Sequence, residues 1–118
     1  MIIKLLNGLD IKINLKNYLV KKDDMCKSKF QKSIRDQLIE KYPNDNIFEE
    51  VYIPIEKFYL DFFLPSLSLV IEVNGEQHSK RIKFFHRTQI DFNSQIERDN
   101  RKKDFCKLNN FRMVEINA

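Results

Sequence analysis

Apolar and polar positions alternate loosely at the start of the chain. Ile2-Ile3 and Leu5-Leu6 are followed by Ile11, Ile13 and Leu15, with Lys12, Asn14 and Lys16 between them. Asn7-Gly8 separates the two runs, which predicts a β-hairpin. Residues 21–24 form a polar break. Ser28 then has the character of a helix N-cap, and Gln31, three residues on, completes a capping box. Phe30, Ile34 and Leu38 follow at helical spacing, with Gln37 and Lys41 on the same side, and Pro43 stops the helix. From Ile47 the period becomes that of strands. Residues 51–55 predict one strand, and residues 59–64 and 68–73 a hairpin around Pro65-Ser66-Leu67 that ends at Gly75. Residues 77–88 read as irregular and basic. A long helix is expected over 91–108, with Asn109-Asn110 as its C-cap, and a last short strand over 111–116. The order ββ-α-βββ-α-β predicts an α+β domain built on one sheet.

Length and composition narrow this. One hundred and eighteen residues, 42% of them apolar, suit a single domain with one core, 1–118. No apolar run approaches the roughly 18 residues of a membrane-spanning helix, and the opening MIIKLLNGLD turns polar too soon for a signal peptide. Cys26 and Cys106 make no disulfide framework and lack the spacing of a zinc site. The expectation is a reduced, cytoplasmic protein with no membrane partner and no organic cofactor. Charge adds one asymmetry. Residues 1–78 carry 11 basic and 12 acidic side chains, whereas residues 79–118 carry 10 basic and 5 acidic. A basic C-terminal third suits either a polyanion-facing surface or an ordinary solvated lysine-rich helix.

The hairpin carries the most chemistry, because its register can be worked out. If Leu64 pairs with Leu69 across a four-residue loop, Asp61 falls opposite Glu72 and Tyr59 opposite Asn74. Two carboxylates facing each other repel, and one is driven to keep its proton. A divalent cation removes the conflict, since Mg²⁺ takes hard oxygen ligands together with phosphate oxygens. The plainer alternative is an exposed sheet face with both acids solvated or paired to lysines.

The segment DFFLPSLSLVIEVNGEQH resembles the PD-(D/E)XK nuclease superfamily, with an Asp near the end of one strand and a Glu in the next. The tail from Ile71 to His78 resembles the branch of the very-short-patch-repair endonucleases and related small phage or homing-type nucleases. Phe84 to His86 and the run from Arg98 to Asn110 match further on, so that the likeness covers residues 28–116 and leaves 1–24 as an N-terminal extension. It implies a restriction-endonuclease-like core, one mixed sheet flanked by helices. It also implies that Asp61 and Glu72, with the Val73 carbonyl, hold Mg²⁺ or Mn²⁺. The usual triplet lysine is absent, because the triplet reads Glu72-Val73-Asn74. The repair branch lacks it too, and there a His six residues after the acid serves catalysis with a downstream Asp. His78 and Asp99 match those positions.

The last helix bears on the missing lysine. Phe92, Ile96, Asp99, Lys103 and Cys106 are spaced four, three, four and three apart and so share a predicted face. Asp99 and Lys103 either pair with each other or reach the site, where Asp99 orients His78 and Lys103 replaces the strand lysine. Gln31 sits where the superfamily's first helix often supplies a Glu or Gln. Gln77, Lys80, Arg81, Lys83, Arg87, Arg98, Arg101 and Lys102 are the expected DNA contacts. His86 suits a surface or core position equally. Two functions follow: a metal-dependent DNA endonuclease, or a decayed nuclease fold that binds nucleic acid or a protein partner. A monomer suits nicking and a homodimer suits double-strand cleavage. The compact form resembles phage nucleases, which implies the cytoplasm of a bacterial host.

Overall fold

The structure is a computed structural model that describes residues 1–20, 29–74 and 89–117, with side chains in the last helix described from Ile96. Strands β1 (Ile2–Lys4) and β2 (Asp10–Lys12) form the expected antiparallel hairpin, with Ile3 opposite Ile11. Gly8 turns it with φ +89°, a conformation that a side chain would strain. The first helix, α1 (Lys29–Lys41), precedes three antiparallel strands, β3 (Phe48–Ile53), β4 (Phe58–Leu64) and β5 (Leu69–Asn74). Helix α2 (Gln89–Leu108) then leads to β6 (Arg112–Asn117), which runs parallel to β5. The sheet order β3-β4-β5-β6 is mixed, and the chain is an α+β fold.

Each face of the sheet buries its own core. On one face Ile34 and Leu38 of α1 meet Ile47, Phe62, Leu64 and Ile71. The same face holds a buried ion pair in which Arg35 Nη2 lies 2.7 Å from Glu49 Oε1, with Gln31 donating to Glu49 Oε2 at 2.7 Å. On the other face Ile3, Leu5 and Ile13 of the hairpin region and Phe105 and Cys106 of α2 cover Val51, Phe58, Leu60, Phe63 and Val70. Phe105 meets Phe58 edge-on at 5.5 Å, and Phe63 tilts against Phe111 at 4.9 Å. Asn109 fastens the hairpin to the end of α2, accepting from Lys4 N at 2.8 Å and donating to Lys4 O at 2.9 Å. Asn110, at φ +58°, ends the helix in the left-handed conformation common there.

The β4–β5 register is the expected one, Leu64 opposite Leu69 and Phe62 opposite Ile71, but the ladder stops there. The cause is one extra residue. Leu60 and Phe63 are three apart yet share the hairpin-side core, so β4 changes faces at Asp61. Phe48 and Val51 show the same jump at Glu50, and β3 and β4 therefore resume pairing beyond it, Val51 opposite Leu60. β5 has no such jump: Val70 and Ile71 alternate regularly between the two cores. A strand that has switched faces no longer matches a neighbour that has not. The expected pairings of Asp61 with Glu72 and of Tyr59 with Asn74 are accordingly absent from the ladder. Tyr59 instead stands opposite Tyr52, ring centroids 4.9 Å apart. The sheet splits at Asp61 and Glu72, with β3–β4 on one side and β5–β6 on the other.

Candidate active site

The two carboxylates fill the split. The Asp61 amide donates to Glu72 Oε2 at 3.0 Å, and the Val73 amide donates to Asp61 Oδ2 at 2.8 Å. Side-chain oxygens thus take amides that a continuing ladder would have paired with backbone carbonyls. The bond to Glu72 favours its charged form. Glu72 lies within the sheet and is buried, whereas Asp61 is half-buried.

The charge that answers Glu72 comes from α2. Lys102 Nζ lies 2.7 Å from Glu72 Oε1 and 5.9 Å from the centre of the Phe58 ring. Among the described residues, one cation meets two acids, of which Glu72 is buried. Burial first, and then the Asp61 charge, push the Glu72 carboxyl from 4.5 up to about 7, against the pull of Lys102. Cys106, one turn beyond Lys102, is pushed up to about 12 by burial and by the Glu72 charge, which leaves it an inert thiol. The raised Glu72 value fixes a pH dependence. The folded state holds this proton more tightly than the unfolded chain, so the contribution is complete below about 4.5 and is lost as pH rises through about 7. Without metal, the protein is expected to lose about 3 kcal/mol from this group between pH 4.5 and 8. Denaturant titrations of the native chain and of Glu72→Gln check it, since the variant should lack that component.

The lysine at the pair is Lys102, and Lys103 is not brought there. Lys103 is 58% exposed and its Nζ stands 3.9 Å from Glu115 Oε1. Ile96, Arg98 and Asp99 are likewise exposed. The inward face of α2 is set by the adjacent Phe105 and Cys106, and Lys102 lies three residues before the first and four before the second. That spacing was available in the sequence; the face drawn through Ile96, Asp99 and Lys103 is rotated from it by about one residue. Arg101 also turns inward, donating from Nη2 to the Glu56 carbonyl at 3.1 Å, a fold contact rather than a free phosphate ligand. Gln31 bonds Glu49, not the Asp61–Glu72 pair. Buried Arg35 and Glu49 were not singled out from the sequence, where nothing distinguishes them from surface charges. Gln77, His78, Lys80, Arg81, Lys83, His86 and Arg87 lie outside the described residues, as do Ser28 and Cys26.

No protein-family model matches the chain, and no solved structure matches it. Over 57 residues, 48% of the chain, it is 39% identical to an uncharacterized protein, 307L, of Invertebrate iridescent virus 6. The match covers 29% of that protein's length, so the chain corresponds to under a third of it.

Among the described residues no three His, Cys, Asp or Glu side chains gather as metal ligands. The pair itself still has the chemistry of a hard-cation site. Two carboxylates share one place, Glu72 is driven toward its neutral form by burial first and by the Asp61 charge second, and a divalent ion bound by both offsets the two. Also among the described residues, no helix is long and apolar enough to cross a membrane.

Proposed function

We propose that the chain is a metal-dependent DNA endonuclease that hydrolyses phosphodiester bonds at the split between β4 and β5. The observation that carries this reading is the convergence of Asp61, Glu72 and Lys102: two acids from neighbouring strands and one ammonium from a helix. Asp61, Glu72 and the Val73 carbonyl are the donors for Mg²⁺ or Mn²⁺. When bound, such an ion polarises a phosphate and lowers the pKa of water. Lys102 stabilises negative charge growing on the phosphate oxygens, the role first given to Lys103. His78 accepts the proton of the attacking water, with Asp99 as its orienting partner by resemblance to the repair branch. Gln77, Lys80, Arg81, Lys83, Arg87 and Arg98 hold the DNA backbone. The viral relative supports a viral setting without naming the host, so the compartment we assign is the interior of an infected cell.

The test uses supercoiled, single-stranded and branched DNA, with Mg²⁺ or Mn²⁺ against EDTA. Cleavage is expected with either metal and lost in EDTA, in Asp61→Asn and, by about 10²–10⁴-fold, in His78→Ala. Metal alone should stabilise the native chain and not Asp61→Asn, by about 2.7 kcal/mol at a hundredfold excess over Kd, read as a rise in melting temperature. DNA binding without cleavage of any form would replace this reading with a binding module on a nuclease-like fold. Sedimentation with and without DNA separates a monomer that nicks from a homodimer that cuts both strands.

A further inference from the structure

Glu50 is the residue on which the split turns. Among the described residues with positive φ, Ile55, Lys57, Ser68 and Asn110 lie in turns or at a helix end, and only Glu50, at +53°, lies inside a strand. A non-glycine residue in that region is strained and persists where the surrounding structure demands it. The demand here is visible in the pairing. Glu49 stands opposite Phe62 and Val51 opposite Leu60, so Glu50 and Asp61 are the two positions passed over together. With one extra residue in each strand, β3 follows β4 through its change of face, and both resume the same register. Had β3 stayed regular, β4 would lose the one neighbour it keeps beyond Asp61 among the described residues, or be drawn back into alternation. Drawn back, Asp61 would fall into an ordinary ladder position and its carboxylate would leave the Val73 amide.

We propose that Glu50 is a positioning residue whose left-handed backbone carries β3 through the extra position in step with β4, and so holds the split open around Asp61. The role belongs to the backbone rather than to the carboxylate. Its value for metal binding rests on the function proposed above; the geometry of the split does not. Glycine and asparagine accept φ near +53° with little strain, alanine less well, and β-branched valine worst.

Amide hydrogen exchange in the metal-free protein tests this directly. Glu50→Val is expected to lower protection of the Val73 amide by about tenfold relative to Phe63 and Val70, whose ladder lies before the split. Glu50→Gly and Glu50→Asn should keep the native ratio. A purely structural loss would lower all three amides together and would overturn the proposal. So would an unchanged ratio in Glu50→Val, or equal losses in the valine and glycine variants, which would assign the effect to the side chain. If Glu50→Val does not fold, Glu50→Ala against Glu50→Gly makes the same comparison with a smaller expected difference. Mn²⁺ affinity, read by paramagnetic broadening at Val73, should follow the same order. Absence of Mn²⁺ binding in every protein, with the exchange pattern as expected, would remove the nuclease reading and leave the positioning role standing.

Discussion

On the proposed nuclease reading, Lys102→Ala is expected to lower DNA cleavage by about 10²–10³-fold, the usual size of losing a charge aimed at a developing anion. Lys103→Ala should stay within about twofold, because its ammonium is solvated near Glu115 and away from the acids. Plasmid nicking with Mg²⁺, at matched protein concentration, checks both. The Lys102 variant should still fold. Its Glu72 carboxyl has a value near 7 even with the lysine present, so the group takes a proton rather than remain a buried lone charge. Equal rates for Lys102→Ala and the native chain would remove the helix from the chemistry altogether.

Phe105→Ala is expected to cost about 3–5 kcal/mol, the range for emptying an aromatic site in a packed core. Phe105 is fully buried against Phe58 and Phe111. A domain of this size has about 5–15 kcal/mol in all, so this is a large share. The effect reaches the site as well. Of the α2 side chains described, Phe105 and Cys106 are the buried ones, and they seat the turn that carries Lys102. Chemical denaturation gives the stability loss. Phe105→Leu, which keeps much of the volume, should recover more than half of it, and a loss below 1 kcal/mol for the alanine change would mean that α2 is not held by this contact.

The strands and their pairing were legible because apolar alternation and loop length together leave little freedom. Pro65 to Ser68 closes a four-residue loop, and that alone sets Phe62 opposite Ile71. The split was harder to see. In β4 Phe58, Leu60 and Phe62 keep a regular apolar alternation through Asp61, and Phe62-Phe63-Leu64 is apolar throughout, so the change of face leaves no break in the pattern. β3 did carry a hint, since Phe48, Val51 and Ile53 break strict alternation at Glu49-Glu50. The carboxylate pair is legible because the register brings Asp61 and Glu72 to the end of the ladder, whereas the lysine depends on helix rotation. A shift of about 100° separates Lys102 from Lys103. The Arg35–Glu49 pair stayed hidden because neither residue's type nor its spacing says which face of the sheet α1 covers.

The acids bind amides as well as, on the reading above, a metal, and this changes how such a chain can drift. If Asp61 became alanine, the Val73 amide would lose its acceptor; if Glu72 became alanine, the Asp61 amide would lose its own. On that reading, a descendant that abandoned hydrolysis would still be selected to keep an acceptor oxygen at both positions, for folding alone. Lys102 is under no such obligation, because a protonated Glu72 can still accept from Asp61. Survival of an acceptor at both positions in a relative thus reports the fold, and the residue at position 102 is where loss of chemistry would first be written.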